Sequence, residues 1–275
     1  MNQQEFNKLQ SVQLEIMDEV HRVCCEHNIT YYIIGGTALG AVRHKGFIPW
    51  DVDIDIAMPR VDYERFAHSC QTVLSDRFVY RDYKNTHNFV HPHALVCIKN
   101  TFLSTRHEYL NSHEENLGIY LDVFPLDVAP ENPVLQHKQA EDIKRIKWLQ
   151  YYRRAYLYDN KFLRNTMKKL LATFIGFFYS IDKLNAMLDA VFRRYENIES
   201  SLWCSMSSHY SYEKQCMSSS VYGKAQLVKF ENREFYAPEQ LDEYLTRIFK
   251  NYMELPPESE RQANLALFDK VIFDD

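Results

Sequence analysis

Glycine is scarce in this chain of 275 residues: 7 Gly stand against 19 Tyr and 17 Phe. So few flexible positions and so many large rings exclude disorder over most of the length and call for a sizeable core. Cys-x-x-Cys spacing is absent among the 6 Cys, two of which are adjacent (Cys24, Cys25). That is a poor disulfide framework and a poor zinc site, and it points to a reducing, cytoplasmic setting. Charge of one sign is also lacking; a net charge of −5 gives no global pull toward nucleic acid. The longest apolar run, Leu170 to Ile181, falls well short of the ~20 residues a spanning helix needs. The polar stretch Met1 to Gln13 carries no signal-peptide core, so neither spanning nor secretion is expected.

What is present reads as alternating helix and strand. Leu9, Val12, Ile16, Val20 and Val23 recur at helical spacing, predicting a first helix that ends near His27. The β-branched and aromatic run Ile29 to Ile34 reads as a buried strand, broken by Gly35-Gly36. Thr37 is then the expected cap of a short helix over Ala38 to His44. Val52 to Met58 alternates Asp with apolar residues, which is strand periodicity with the acids on one face. Asp62 to Leu74 reads as helix; Arg77 to Tyr83, Asn88 to Ile98, Phe102 to Thr105 and Ile119 to Phe124 read as strands. The fold class is α/β (α+β), a mixed sheet with flanking helices and a helical appendage. Pro125, Pro130 and Pro133 mark a boundary. The expected division is a core over 1–132, a helical region over 133–200 and a C-terminal segment over 201–275 packing on the core. Ser200 to Ser220 has no assignable structure.

The acids carry the chemistry. Asp53 and Asp55, two apart on a strand, share a face and can share one ion. Unneutralised, they would repel; a divalent cation holding substrate phosphates removes that cost. Gly35, Gly36 and Thr37 place backbone amides at a helix start where phosphate binds well, and Arg43, His44 and Lys45 add positive charge. Asp122 is one acid in an otherwise apolar strand, costly to bury unpaired, and is the candidate third carboxylate. Asp127 is expected to cap a turn. His87, His91 and His93 fall within seven residues, yet the missing Cys partners favour a polar loop over a metal site.

The stretch Gly35 to Ile56, with Gly35-Gly36-Thr37-Ala38-Leu39-Gly40 and Trp50-Asp51-Val52-Asp53-Ile54-Asp55, closely resembles the signature of the LicD family of phosphocholine transferases. Gly118-Ile119-Tyr120-Leu121-Asp122-Val123-Phe124-Pro125-Leu126-Asp127 resembles that family's second block, and Tyr252-Met253-Glu254-Leu255-Pro256-Pro257 its C-terminal block. The resemblance implies a nucleotidyltransferase-like fold, related to the fukutin-type ribitol-phosphate transferases. It implies Asp53, Asp55 and Asp122 as catalytic, metal-binding acids for Mg2+, with Mn2+ the alternative. Substrate contacts are implied at Gly35, Gly36, Thr37, Arg43, His44, Trp50, Asp51 and Lys99. Val52 departs from the third consecutive Asp of many bacterial members; by strand alternation it faces away, so no ligand is lost.

The implied reaction moves a phospho-alcohol from a CDP-activated donor to a hydroxyl of a cell-envelope glycan or its lipid-linked precursor, releasing CMP. Phosphocholine leads, with phosphoethanolamine, glycerol phosphate and ribitol phosphate open. Nucleotidyl transfer from an NTP, and a non-catalytic nucleotide-binding protein, are the rivals from other classes. Lys161, Arg164, Lys168 and Lys169 precede the apolar run and suit a helix lying at the inner face of the membrane; a buried core helix is the alternative.

Overall fold

The computed structural model describes residues 2–105, 117–158, 166–259, 261 and 268–274. Helix α1 (Gln3–Glu26) opens with a capping box: the Asn2 side chain accepts from the Glu5 N–H while the Glu5 carboxylate accepts from the Asn2 N–H. Its face of Leu9, Ile16, Met17, Val20 and Val23 is fully buried, as the spacing requires. Strand β1 (Tyr32–Ile33) is shorter than Ile29 to Ile34 because only those two residues pair in register with β2, at Ala57 and Ile56. Helix α2 (Gly35–Arg43) follows at once.

Strand β2 covers Asp55–Pro59, and Pro59 hands directly to α3 (Arg60–Val73). The strand expected from Val52 begins three residues later. Asp51 to Ile54 is irregular backbone, although Val52 and Ile54 are buried and the acids are not. Strands β3 (Phe78–Arg81), β4 (Ala94–Ile98), β5 (Phe102–Thr105) and β6 (Tyr120–Ala129) come next. Strand β6 runs straight through Pro125, which needs no N–H in its register opposite Met58.

Helices α4 (Pro133–Tyr158), α5 (Thr166–Phe178) and α6 (Ile181–Phe192) lead to β7 (Leu202–Cys204), α7 (Tyr212–Gln215), β8 (Cys216–Ser218) and α8 (Ser219–Tyr222). The hairpin β9 (Gln226–Phe230) and β10 (Arg233–Ala237) precedes α9 (Leu241–Phe249), and β11 (Phe268–Ile272) pairs with β5.

The main sheet has seven strands, ordered β1-β2-β6-β4-β3, with β7 added to the far half of β6 and β8 to β7. Only β2 and β6 are parallel. The principal core unites α1, both faces of this pair and C-terminal residues such as Tyr222, Phe230, Phe235 and Tyr244. A second core joins Ala129 and Cys204 of the sheet to Ile143, Ile146, Leu184 and Leu188 of the helices. Among the described residues no helix is long and apolar enough to cross a membrane.

Candidate active site

Parallel pairing builds the acidic centre. Asp55 stands opposite Asp122 in the β2–β6 register, and Asp122 N–H donates to the Ile54 carbonyl at 3.0 Å. Adjacent strands lie about 4.8 Å apart, so residues in register on one face bring their side chains together. The backbone of Asp55 is fixed on its other side as well. Its N–H donates to Thr37 Oγ1 at 2.8 Å, and its carbonyl accepts from Ile34 N–H at 3.0 Å. Thr37 is therefore not a helix cap: α2 starts two residues earlier, with Ile34 in the cap position, and the buried Thr37 hydroxyl positions an acid.

The two glycines make room for carboxylates. Gly35 adopts φ +53°, and a Cβ there would lie 2.9 Å from Asp55 Oδ2. A Cβ on Gly36 would lie 2.5 Å from Asp51 Oδ2. Thus Asp51 and Asp55 pack against the N-terminal turn of α2, whose dipole favours negative charge. Tyr244, buried in α9, accepts the Gly35 N–H at 3.0 Å and holds the turn from below.

The acids strain one another. Asp53 is exposed by area but sits in a recess walled by protein. Lost solvation, then the charges of Asp51 and Asp55, drive its carboxyl well above the usual range. Asp55 is raised well above it too, by lost solvation and then by Asp122 and Asp51. Burial raises Asp51, partly offset by a hydrogen bond with Asp53 and by its acceptance of the Val52 N–H. Like charges gathered without a counter-cation fit hard, oxygen-liganded divalent metal.

The histidines lie in the loop before β4, as expected, but His93 is not simply solvated there. Its Nε2 lies 2.6 Å from Asp122 Oδ1, its ring stacks on Phe124 with centroids 4.1 Å apart, and its buried Nδ1 has no partner. His91, His93 and Asp122 offer ligand atoms within 4.8 Å of one another. His87 instead pairs with Asp182. The available signal was position: His93 immediately precedes β4, whose Leu95 pairs with Asp122.

The other expected contacts are distributed unequally. Arg43 Nη1 donates to the carbonyls of Tyr252 (2.9 Å) and Glu254 (3.2 Å), so the first motif holds the C-terminal one. His44 accepts from Arg43 Nε and meets the Trp50 ring edge-on, while the Arg261 guanidinium lies over the Trp50 ring, 5.4 Å from its centroid. Lys99 is exposed in the turn after β4, four residues or about 13 Å along the strand from Leu95, and is not brought to the acids. Asp127 caps no turn: it lies buried in β6 and takes a bidentate pair from Arg60 at 2.7 and 2.8 Å.

A cleft of about 510 Å³ adjoins the centre, lined by His93, Phe124, Lys147, Tyr151, Ser207 and Tyr210 among others. Tyr210 lines this cleft, and burial pushes its hydroxyl up to about 12, with the charges of Asp55, Asp51 and Asp53 adding to the shift. Tyr210, Ser207 and His209 come from the loop after β7, inside the Ser-rich stretch that carries no local pattern.

Comparison with known proteins agrees with this arrangement. Residues 28–138 match the model of the LicD/FKTN/FKRP nucleotidyltransferase domain, which spans the glycine turn and all four acids. The lipopolysaccharide cholinephosphotransferase LicD of Haemophilus influenzae is 26% identical over 268 residues, covering 96% of this chain and 97% of that protein. Uncharacterized proteins of Rickettsia typhi (38% identical over 128 residues) and Rickettsia prowazekii (33% over 90) match shorter parts, 37% and 34% of their own lengths. A domain match that encloses the acidic centre, joined to end-to-end likeness with one relative, marks residues 28–138 as similar to the LicD/FKTN/FKRP nucleotidyltransferase domain.

Proposed function

We propose that this protein transfers phosphocholine from CDP-choline to a hydroxyl of a cell-envelope glycan or its lipid-linked precursor, releasing CMP. The observation that carries this reading is the packing of Asp51 and Asp55 on the glycine turn, with Asp122 in register beside Asp55 and Asp53 within electrostatic reach, near a cleft large enough for a sugar. The likeness to a lipopolysaccharide cholinephosphotransferase supports the choice of alcohol and acceptor.

Asp53, Asp55 and Asp122, with Asp51 beside them, would hold Mg2+ or Mn2+, which when bound supplies charge neutralisation for a diphosphate. The chain's own groups do the rest. The N-terminal turn of α2 faces the diphosphate with its positive dipole end. Asp122, held in place by His93 at 2.6 Å, accepts the proton of the acceptor hydroxyl. As that oxygen bonds to the phosphorus bearing choline, the bond from the same phosphorus to the CMP oxygen breaks, and CMP departs with the electron pair. Phe124, Tyr151 and Tyr210 offer aromatic faces to the choline ammonium or to the sugar. Action on an envelope precursor would put the protein at the cytoplasmic face of the membrane.

The test is a panel of CDP-choline, CDP-ethanolamine, CDP-glycerol, CDP-ribitol, CTP and ATP, scored for CMP or pyrophosphate with and without Mg2+. CMP from CDP-choline alone is the expected result; pyrophosphate from an NTP would overturn it. Asp53→Asn should lower turnover at least about 10³-fold with the fold intact, as loss of an electrostatic group in the transition state does.

A further inference from the structure

Beside the acids, the same cleft gathers the opposite charge. Lys147 of α4 reaches in and donates from Nζ to the carbonyls of Met206 (3.4 Å) and Ser208 (3.2 Å). Both acceptors are neutral, and among the described residues no carboxylate pairs with this ammonium. Burial pulls its pKa down, the expected response of a cation taken from water without a counter-charge. His209, from the same loop, is likewise lowered, first by burial and then by Lys147 and His93, so these basic groups sit close enough to repel one another.

A second observation is independent of charge. Ser207 is 4% exposed, lines this cleft, and its Oγ has no hydrogen-bond partner. A buried hydroxyl left unpaired is costly, and an unneutralised ammonium costs more. An oxyanion in the cleft answers both, accepting from Ser207 and from Lys147.

We propose that Lys147, Ser207 and His209 form a subsite for a phosphate-type oxyanion carried by a substrate, a few side chains away from the acidic centre. The anion belongs either to the donor's diphosphate or to an acidic group on the acceptor glycan. Only this last question rests on the transferase reading; the existence of the subsite does not. The arrangement separates two tasks: the acids hold cation, and the basic wall holds charge that the acids alone would repel.

Isothermal titration of inorganic phosphate into the full chain in EDTA and low salt tests it, because without metal the acids reject the anion. One saturable site is expected, weakened at least about tenfold, or ~1.4 kcal/mol, in Lys147→Met. Lys144→Met, on the exposed side of α4, should bind as the wild type does. Ser207→Ala removes only the unpartnered hydroxyl and should weaken binding several-fold even if Lys147→Met fails to fold. Absence of saturable binding by the wild type, or unchanged affinity in Ser207→Ala, overturns the subsite. In turnover, Ser207→Ala should raise one KM only. A raised acceptor KM places the anion on the glycan, a raised donor KM places it on the nucleotide, and two unchanged values overturn the proposal. If no CDP-linked donor is turned over, the transferase reading fails while the phosphate titration still decides the subsite.

Discussion

At the scale of single residues, the acidic centre is a store of repulsion that a bound cation would relieve. Asp53 and Asp55 have carboxyls raised well above the unfolded value near 3.9. A group raised in this way favours the folded state most below its unfolded pKa and loses that contribution as pH climbs through the folded one. The metal-free protein should therefore lose stability as pH rises from about 4 toward neutrality. Mg2+ needs the ionised carboxylates, so its stabilising increment should grow over the same interval. Asp53→Asn removes one charge from the repelling set. After discounting for solvent at this exposed side chain, relief on the order of 1 kcal/mol corresponds to a metal-free Tm higher by about 2–4 °C near pH 7.5. The same variant should lose most of the Mg2+ increment. Differential scanning calorimetry across pH, with EDTA or Mg2+, checks both; a lower metal-free Tm for Asp53→Asn would refute the repulsion account.

At the scale of elements, the site is a glycine turn wedged between two carboxylates. Gly36→Ala would press a methyl to within 2.5 Å of Asp51 Oδ2, and the neighbour that must give way belongs to the site itself. Turnover is expected to fall at least about tenfold, with stability changed by no more than ~1–3 kcal/mol. Circular dichroism and CMP release measure the two separately, and an unchanged rate would show that Asp51 stands outside the working set. How much of this was legible followed the range of each interaction. The acids, the glycines and the α1 face declared themselves through spacings of two to four residues. Asp122 was open to inference as the one acid in the apolar stretch Ile119 to Phe124, whereas its register opposite Asp55 was not. Nor were His93, Tyr210 and Tyr244, since each reaches the centre across 29 to 209 residues of chain or from a loop without periodicity. Local preference predicts a helix cap at Thr37 and a turn cap at Asp127. Tertiary partners, the Asp55 N–H and the Arg60 guanidinium, claimed their side chains instead.

At the scale of the whole molecule, the C-terminal elements close the site while the helices extend it outward. Tyr244 braces the glycine turn, and Arg43 clasps the Tyr252 and Glu254 carbonyls, so the ends of the chain share one core. The helices carry another kind of surface. On α5, Leu170 is 67% exposed, Phe174 64% and Phe177 84%, while Trp148 and Tyr151 of the adjoining α4 are also exposed. Gly176 of α5 lies against Arg153 of α4, and the exposed Tyr151 of α4 also lines the cleft. Lys161 and Arg164 fall outside the described residues, as do the side chains of Lys168 and Lys169; the sequence nonetheless sets four cations just before the apolar run. Apolar rings flanked by lysines suit a helix resting in a headgroup layer, and a cleft at its margin would receive an acceptor held in that layer. Sedimentation with vesicles containing anionic lipid should therefore carry the protein down at low salt and release it at high salt. Phe174→Asp with Phe177→Asp should cut the bound fraction by roughly tenfold without altering CMP release from a water-soluble acceptor. Wild-type protein that stays in the supernatant at low salt would remove the membrane from this account. Elution at twice the monomer mass in gel filtration, lost in the double variant, would then assign the aromatic face to a second copy of the chain.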